Sequence, residues 1–257
     1  MSRPALALLA RLAVLAVLSV AALAGASCAG AAAASHDQAA THDATHDVTL
    51  VLIKTGPKSG QLPDDETKTL FAGHFANMNR MSQERQLLLA GPYTKQRHDL
   101  ALRGIFVLDT GDLERAREIA GTDPPTQAGI FVLDFHSLST DAALRAMHEH
   151  VMELDAQAEA QAKAEGRQRQ PGEGGRSFVL LTAEDGERAT AALAAAPPDL
   201  VLLSARLDGT RAFVLLDAAD TDAAQAALGD LQGQLGPFVL DAWYASAELV
   251  HLPELAR

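Results

Sequence analysis

The chain is expected to fold as an α+β protein: two ferredoxin-like βαββαβ repeats packed on one another as a pseudo-dimeric α+β barrel. Three observations lead there. The quartet Phe-Val-Leu-Asp stands at Phe106–Asp109, Phe131–Asp134 and Phe238–Asp241, with a near copy at Phe213-Val214-Leu215-Leu216-Asp217. The spacing from Phe106 to Phe131 is 25 positions and recurs from Phe213 to Phe238, as a tandem duplication would produce. Apolar runs of strand length alternate with helical patterns in the order β, α, β, β, α, β, twice over.

In the first half, Val48–Lys54 is rich in β-formers, and Asp64 or Asp65 can cap a helix to about Gln86 that carries Leu70, Phe71, His74, Phe75, Met78 and Met81 near one face. Leu87–Ala90 reads as a strand ending at Gly91-Pro92. It is followed by strand Leu102–Asp109, helix Asp112–Ala120 stopped by Gly121, and strand Ala128–Phe135. The second half reads as strand Ser177–Leu181, helix Glu187–Ala195, strands Leu200–Arg206 and Thr210–Leu216, helix Thr221–Leu235 and strand Phe238–Ser246. Such a four-stranded sheet has helices on one face and a bare apolar face on the other, so the second copy is expected to cover the first. Between the copies, residues 139–176 predict a helix with Leu144, Met147, Val151 and Leu154 in a stripe, then a flexible Gly166–Gly175 linker with Arg167, Arg169 and Arg176 as solvated charges.

Residues 1–27, with Arg3 and Arg11 around the apolar run Leu12–Val20, have the layout of a secretory signal. Cys28 is the only cysteine, which excludes an intrachain disulfide. Leu23-Ala24-Gly25-Ala26-Ser27-Cys28 resembles a bacterial lipoprotein processing site, with Gly25 standing where an apolar residue is usual. The alternative is cleavage after Ala24-Gly25-Ala26. Both readings expect export to the cell envelope, the first with a lipid anchor on Cys28. Residues 28–47 predict a flexible tether whose His36-Asp37, His42-Asp43 and His46-Asp47 pairs are more simply solvated than metal-binding. A formal net charge of −12 disfavours nucleic acid and anionic lipid surfaces as partners.

Chemistry-bearing residues are unevenly divided. His74 and the pair Asp123-Pro124 lie in the first half, whereas Phe178–Val250 contains no histidine. A histidine held by a carboxylate is an acid/base unit, because the carboxylate fixes the tautomer and leaves the other ring nitrogen to exchange a proton. Beside Phe71, Phe75 and Met78, His74 also reads as a core histidine donating to a backbone carbonyl. Lys54, Arg80, Arg85 and Arg103 are candidate anion contacts for an acidic substrate, although residues of this kind are more often solvated surface charges. His148 and His150, two apart on a helix, do not share a face and predict no metal pair. There is no phosphate-binding Gly-rich loop, no Gly-x-Ser-x-Gly elbow, no Cys-based metal motif and no His-Glu-x-x-His.

Taken in order, His74 within helix one, Leu88-Leu89-Ala90-Gly91-Pro92, Gly104, Leu113-Glu114-Arg115-Ala116 and Asp123-Pro124 make residues 48–138 resemble the YCII-related family. The resemblance implies a ferredoxin-like α+β barrel and a His–Asp pair, here His74 and Asp123, doing acid/base chemistry in a cleft, as in a relative that eliminates chloride from a chlorinated hydroxyquinol. With no cofactor or metal motif in the sequence, no cofactor and no metal are expected. Pro125 stands where family members usually carry an aromatic, which implies a different pocket wall. Residues 177–250 read as a degenerate copy, with Asp230 opposite Asp123 but no histidine opposite His74. Two functions follow as expectations: a cofactor-independent lyase or isomerase acting on a small molecule, or a noncatalytic ligand-binding or scaffold lipoprotein of the envelope.

Overall fold

A computed structural model of the chain describes residues 45–170 and 172–256. The expected signal segment, Cys28 and the first two His-Asp pairs lie outside them. The elements run β1 (His46–Thr55), α1 (Asp64–Gln83), β2 (Leu87–Pro92), β3 (Leu102–Leu108), α2 (Leu113–Ala120), α3 (Pro124–Gln127), β4 (Phe131–Thr140) and α4 (Leu144–Ala164). There follow β5 (Gly175–Ala183), α5 (Gly186–Leu193), β6 (Val201–Leu207), β7 (Arg211–Leu216), α6 (Thr221–Leu228), a 3-10 segment Gly229–Gln234, β8 (Phe238–Ser246) and a short C-terminal turn of helix. The eight strands form one antiparallel sheet in the order β2-β3-β1-β4-β6-β7-β5-β8.

Strand alternation sorts the apolar residues into layers, because successive side chains point to opposite faces. In β1, Val48 and Leu50 enter a central core with Phe178 and Leu180 of β5, while Val51 and Ile53 face an outer core under α1 and α2. In β5, Val179, Leu181 and Ala183 likewise face a second outer core with Ala189 of α5 and Ala224 of α6. The central core draws on both halves, including Ile105, Leu138, Phe213 and Trp243, and α4 seals it with Leu144 and Met147. One inner layer therefore lies between two outer helical layers.

The sheet curls until its ends meet. At one seam β4 and β6 pair through Leu138↔Leu207 and Ser139↔Arg206. Beyond that pairing, Asp208, in the left-handed region at φ 48°, accepts from Ser137 N at 3.1 Å and lies 2.8 Å from His136 Nδ1. At the other seam Tyr93 bridges Trp243, Thr94 N donates to Ala242 O at 2.7 Å, and Ala242 N donates to Gln96 O at 2.7 Å. The buried Asp241 then accepts from His98 N and His98 Nδ1, both at 2.7 Å. In each case the connection between two strands of one half docks on the last strand of the other.

Several expected boundaries shift for local reasons. Neither Asp64 nor Asp65 caps α1; Pro63 precedes it without a side-chain cap, and both aspartates sit in the first turn, where they favour the positive end of the helix dipole. The helix stops at Gln83 rather than Gln86, before Arg85 in the left-handed region at φ 56°. Strand β4 starts at Phe131, not Ala128, because Asp123 and Pro124 open the unforeseen α3 as its cap and first residue. The helix expected to reach Leu235 ends at Leu228 and continues as the 3-10 segment. Arg176 belongs to β5 and pairs with Asp217, while Arg167 and Arg169 pair with Glu173 and Asp155, so the basic cluster is engaged in ion pairs. His46 and Asp47 lie in β1, not in a tether. Phe213 faces the central core whereas Phe106 faces outward: the extra leucine in the near copy slips it by one residue and reverses its faces.

Two outcomes test this packing. A Cβ on Gly91 would collide with the Tyr244 carbonyl oxygen and stand 2.8 Å from Trp243 Nε1. Gly91→Ala should therefore destabilise the protein by about 1–3 kcal/mol in denaturant unfolding. His148 of α4 is buried against Ser82 of α1, and burial, then the charge of Arg85, holds it below its ordinary 6.5. Between the folded value and 6.5 the unfolded chain binds the extra proton, so stability should fall as pH drops through 6.5. The unfolding midpoint should fall more in the wild type than in His148→Gln when pH is lowered from about one unit above 6.5 to about one unit below.

Candidate functional site

The site grows from a contact between α1 and α3. Gly73 has no side chain, and a Cβ there would stand 3.0 Å from the Pro124 ring, so α3 can lie directly on α1. The next residue, His74, points into the layer between α1 and the sheet and is 8 % exposed. Asp123 caps α3, and its carboxylate is used on both sides. Oδ2 accepts from Thr126 N at 3.3 Å and Thr126 Oγ1 at 2.9 Å, while Oδ1 lies 2.6 Å from His74 Nδ1. Asp123 is 1 % exposed.

Four phenylalanines surround the imidazole. Phe106 stacks on it at 5.9 Å between ring centroids, and Phe71, Phe75 and Phe131 meet it edge-on at 6.3, 5.5 and 5.6 Å. This apolar collar narrows the positions the ring can take, and the carboxylate fixes its orientation. A charge-assisted hydrogen bond in such surroundings is stronger than its counterpart in water. With Nδ1 engaged by Asp123, the neutral imidazole carries its proton there and leaves Nε2 as a lone-pair acceptor. Among the described residues Nε2 has no hydrogen-bond partner.

His74 lines a cavity of about 530 Å³ between α1, the loop after β1, and strands β3 and β4. Ile53, Leu62, Met78, Ile105, Ile130 and the four phenylalanines give it mostly apolar walls. Its mouth is marked by Phe75, a large apolar residue left 64 % exposed, and by Asp64 and Arg103. The volume suits a ligand of small-molecule size.

The candidate cations separate clearly. Lys54 donates to Asp134 at 2.8 Å, Arg80 to Glu84 at 2.6 Å, and Arg85 pairs with Glu149 at 3.1 Å. Arg103 alone of the four lines the cavity, and its Nε donates to Thr55 Oγ1 at 2.7 Å. His148 and His150 are apart, the first on Ser82 and the second 3.5 Å from Glu248. Among the described residues no group of three or more His, Cys, Asp or Glu is placed to hold a metal ion.

In the second half Asp230 lies in the 3-10 segment, and Phe178–Val250 contains no histidine to pair with it. The reversed Phe213 also removes the aromatic that stacks on the imidazole in the first half. The sequence reading missed the cavity wall and the His98–Asp241 pair. Alternation in β3 could have placed Phe106 and Gly104 on the helical side, but nothing local announces a contact between residues 143 apart.

The model of the YCII-related domain matches residues 48–136. No curated protein and no solved structure matches the chain. The segment from β1 through most of β4, which contains both His74 and Asp123, is a YCII-related domain.

Proposed function

We propose that the protein is an acid/base enzyme of lyase or isomerase type in which His74, oriented by Asp123, moves a proton on a small molecule held in the first-half cavity. The observation that carries this reading is the 2.6 Å contact between His74 Nδ1 and a buried carboxylate, in a ring that lines a cavity of about 530 Å³. In the forward step Nε2 takes a proton from the substrate, and the imidazolium is stabilised by Asp123. The electron pair left behind either expels a leaving group, giving elimination, or returns to a different atom with the proton from Nε2–H, giving isomerisation. Arg103 at the mouth can meet an anionic group on the substrate. The apolar collar leaves the ring accessible through the cavity, so the proton passes between Nε2 and a substrate held there.

The finer reading of the fold belongs to the same proposal. We take the halves as duplicated ferredoxin-like repeats forming an intramolecular pseudo-dimer. The support is that each half contributes its first, second, third and fourth strands in the lateral order two, three, one, four. Export with a lipid anchor on Cys28 is proposed from residues 1–28 alone.

The test is turnover of small enolisable acids and substituted phenols by the full chain, read by solvent deuterium incorporation or leaving-group release. His74→Ala should abolish it, and Asp123→Asn should lower kcat by about 100-fold or more. Both variants should keep the wild-type circular dichroism spectrum. Undiminished turnover by folded His74→Ala would overturn the reading, and a compound bound tightly in this cavity yet never converted would favour a ligand-binding module.

A further inference from the structure

We propose that the His74 cavity takes a monoanion with a flat apolar body, an aromatic or conjugated monocarboxylate, whose carboxylate is held by Arg103. The proposal deepens the acid/base reading of the same cavity and rests on it for the reaction, though not for the binding.

A β-bulge aims the arginine. Strand β1 pairs with β3 at Ile53↔Gly104 and next at Lys54↔Leu102, so Arg103 is the extra residue on β3. Strict alternation would put Arg103 on the face of Ile105, which enters the central core, and away from Phe106, which faces α1. The bulge breaks that alternation. Arg103 Nε donates at 2.7 Å to Oγ1 of Thr55, two residues beyond Ile53 of the outer core. The same hydroxyl donates to Ala101 O at 3.2 Å, so the group that holds the guanidinium is itself held. In the second half the corresponding strands, β5 and β7, pair from Val179↔Leu216 to Ala183↔Ala212 without a shift, and Arg211 there is tied to Asp208 at 2.6 Å. The bulge and its arginine accompany the half that has the histidine.

Charge and shape then set the ligand. With Nε engaged, both Nη groups remain to donate, and among the described residues no carboxylate pairs with them. Two parallel N–H donors match the two oxygens of a carboxylate. Arg103 is the one Lys or Arg in the cavity wall, and Asp64 at the same mouth repels a second negative charge, which selects a monoanion. The net charge of −12 opposes any anion from a distance, but it is screened over about 8 Å at physiological salt, and contact with the guanidinium acts within that length. Behind the mouth, Phe71, Phe75, Phe106 and Phe131 offer ring faces and edges to a flat body. Arg103 is exposed whereas His74 is 8 % exposed inside the collar, so the proton exchanged with Nε2 belongs to the body of the ligand and not to its carboxylate.

The full chain would be titrated at neutral pH with 2-naphthoate and with 2-naphthamide, its uncharged counterpart of the same shape, reading the backbone amide signals of Phe75 and Phe131. The expected result is saturable binding of naphthoate, about ten-fold or more tighter than naphthamide, as a charge-assisted pair gives. Arg103→Gln should remove that preference by weakening naphthoate alone; Arg103→Leu serves if Arg103→Gln does not fold. His74→Ala should keep the preference, so a failure of the acid/base reading, seen in turnover, is distinguishable from a failure here. No saturable binding of naphthoate, naphthamide bound as tightly, or a preference that survives loss of the Arg103 guanidinium would overturn the proposal.

Discussion

The need to bury two apolar sheet faces governs this molecule. Each half presents strands whose alternate residues are apolar on both sides, and its helices cover only one side. The other side is covered by the partner half, so Val48 and Leu50 of β1 share a core with Phe178 and Leu180 of β5. Hydrophobic burial of this kind is non-directional, and the directional work is done at the seams. There the backbone groups of Tyr93, Thr94 and Ala242 and the carboxylates of Asp208 and Asp241 set how the halves meet.

Because the central layer is taken up by that core, the functional candidates are displaced to the outer layer. There α1 lies over β1 and β3, and the space between helix and sheet is mostly apolar, with His74 in its wall. A histidine in such a place needs a partner, and the fold supplies one from a loop rather than from the sheet. Asp123 can serve because it is at once the cap of α3 and the acceptor for Nδ1. Gly73 permits the approach, and Thr126 holds the second oxygen. At the other seam, among the described residues, the buried Trp243 indole N–H is left without a hydrogen-bond partner.

Much of this could be read from residues alone, and the failures have physical causes. The run of β-formers at Val48–Lys54 and the quartets at Phe131 and Phe238 mark strands that the structure keeps, with Phe131 and Phe238 both toward the helices. The near copy at Phe213 differs in its faces, because one inserted leucine turns Phe213 and Leu215 toward the central core and Val214 and Leu216 toward the helices. The end of α1 was misplaced because Glu84-Arg85-Gln86 carries no glycine or proline, and the chain instead turns at Arg85 with a positive φ. The pairing of His74 with Asp123 came from a family resemblance. From local chemistry alone, Asp123-Pro124-Pro125-Thr126 announces a helix cap, not a partner for a residue 49 positions away. His98 and Asp241 are further apart still, in different halves, and only the docking of one half on the other brings them together.

We propose that Asp123 fixes the proton of His74 on Nδ1 and leaves Nε2 free to exchange one. The most direct measurement is the tautomer of His74 from the nitrogen chemical shifts of its selectively labelled ring, in the wild type and in Asp123→Asn. A proton fixed on Nδ1 predicts the Nδ1–H tautomer for the wild-type ring in its neutral form, with that preference lost or reversed in the variant. A wild-type ring protonated at Nε2, or one whose tautomer is indifferent to Asp123, would contradict it and make His74 a packing residue of the α1 layer.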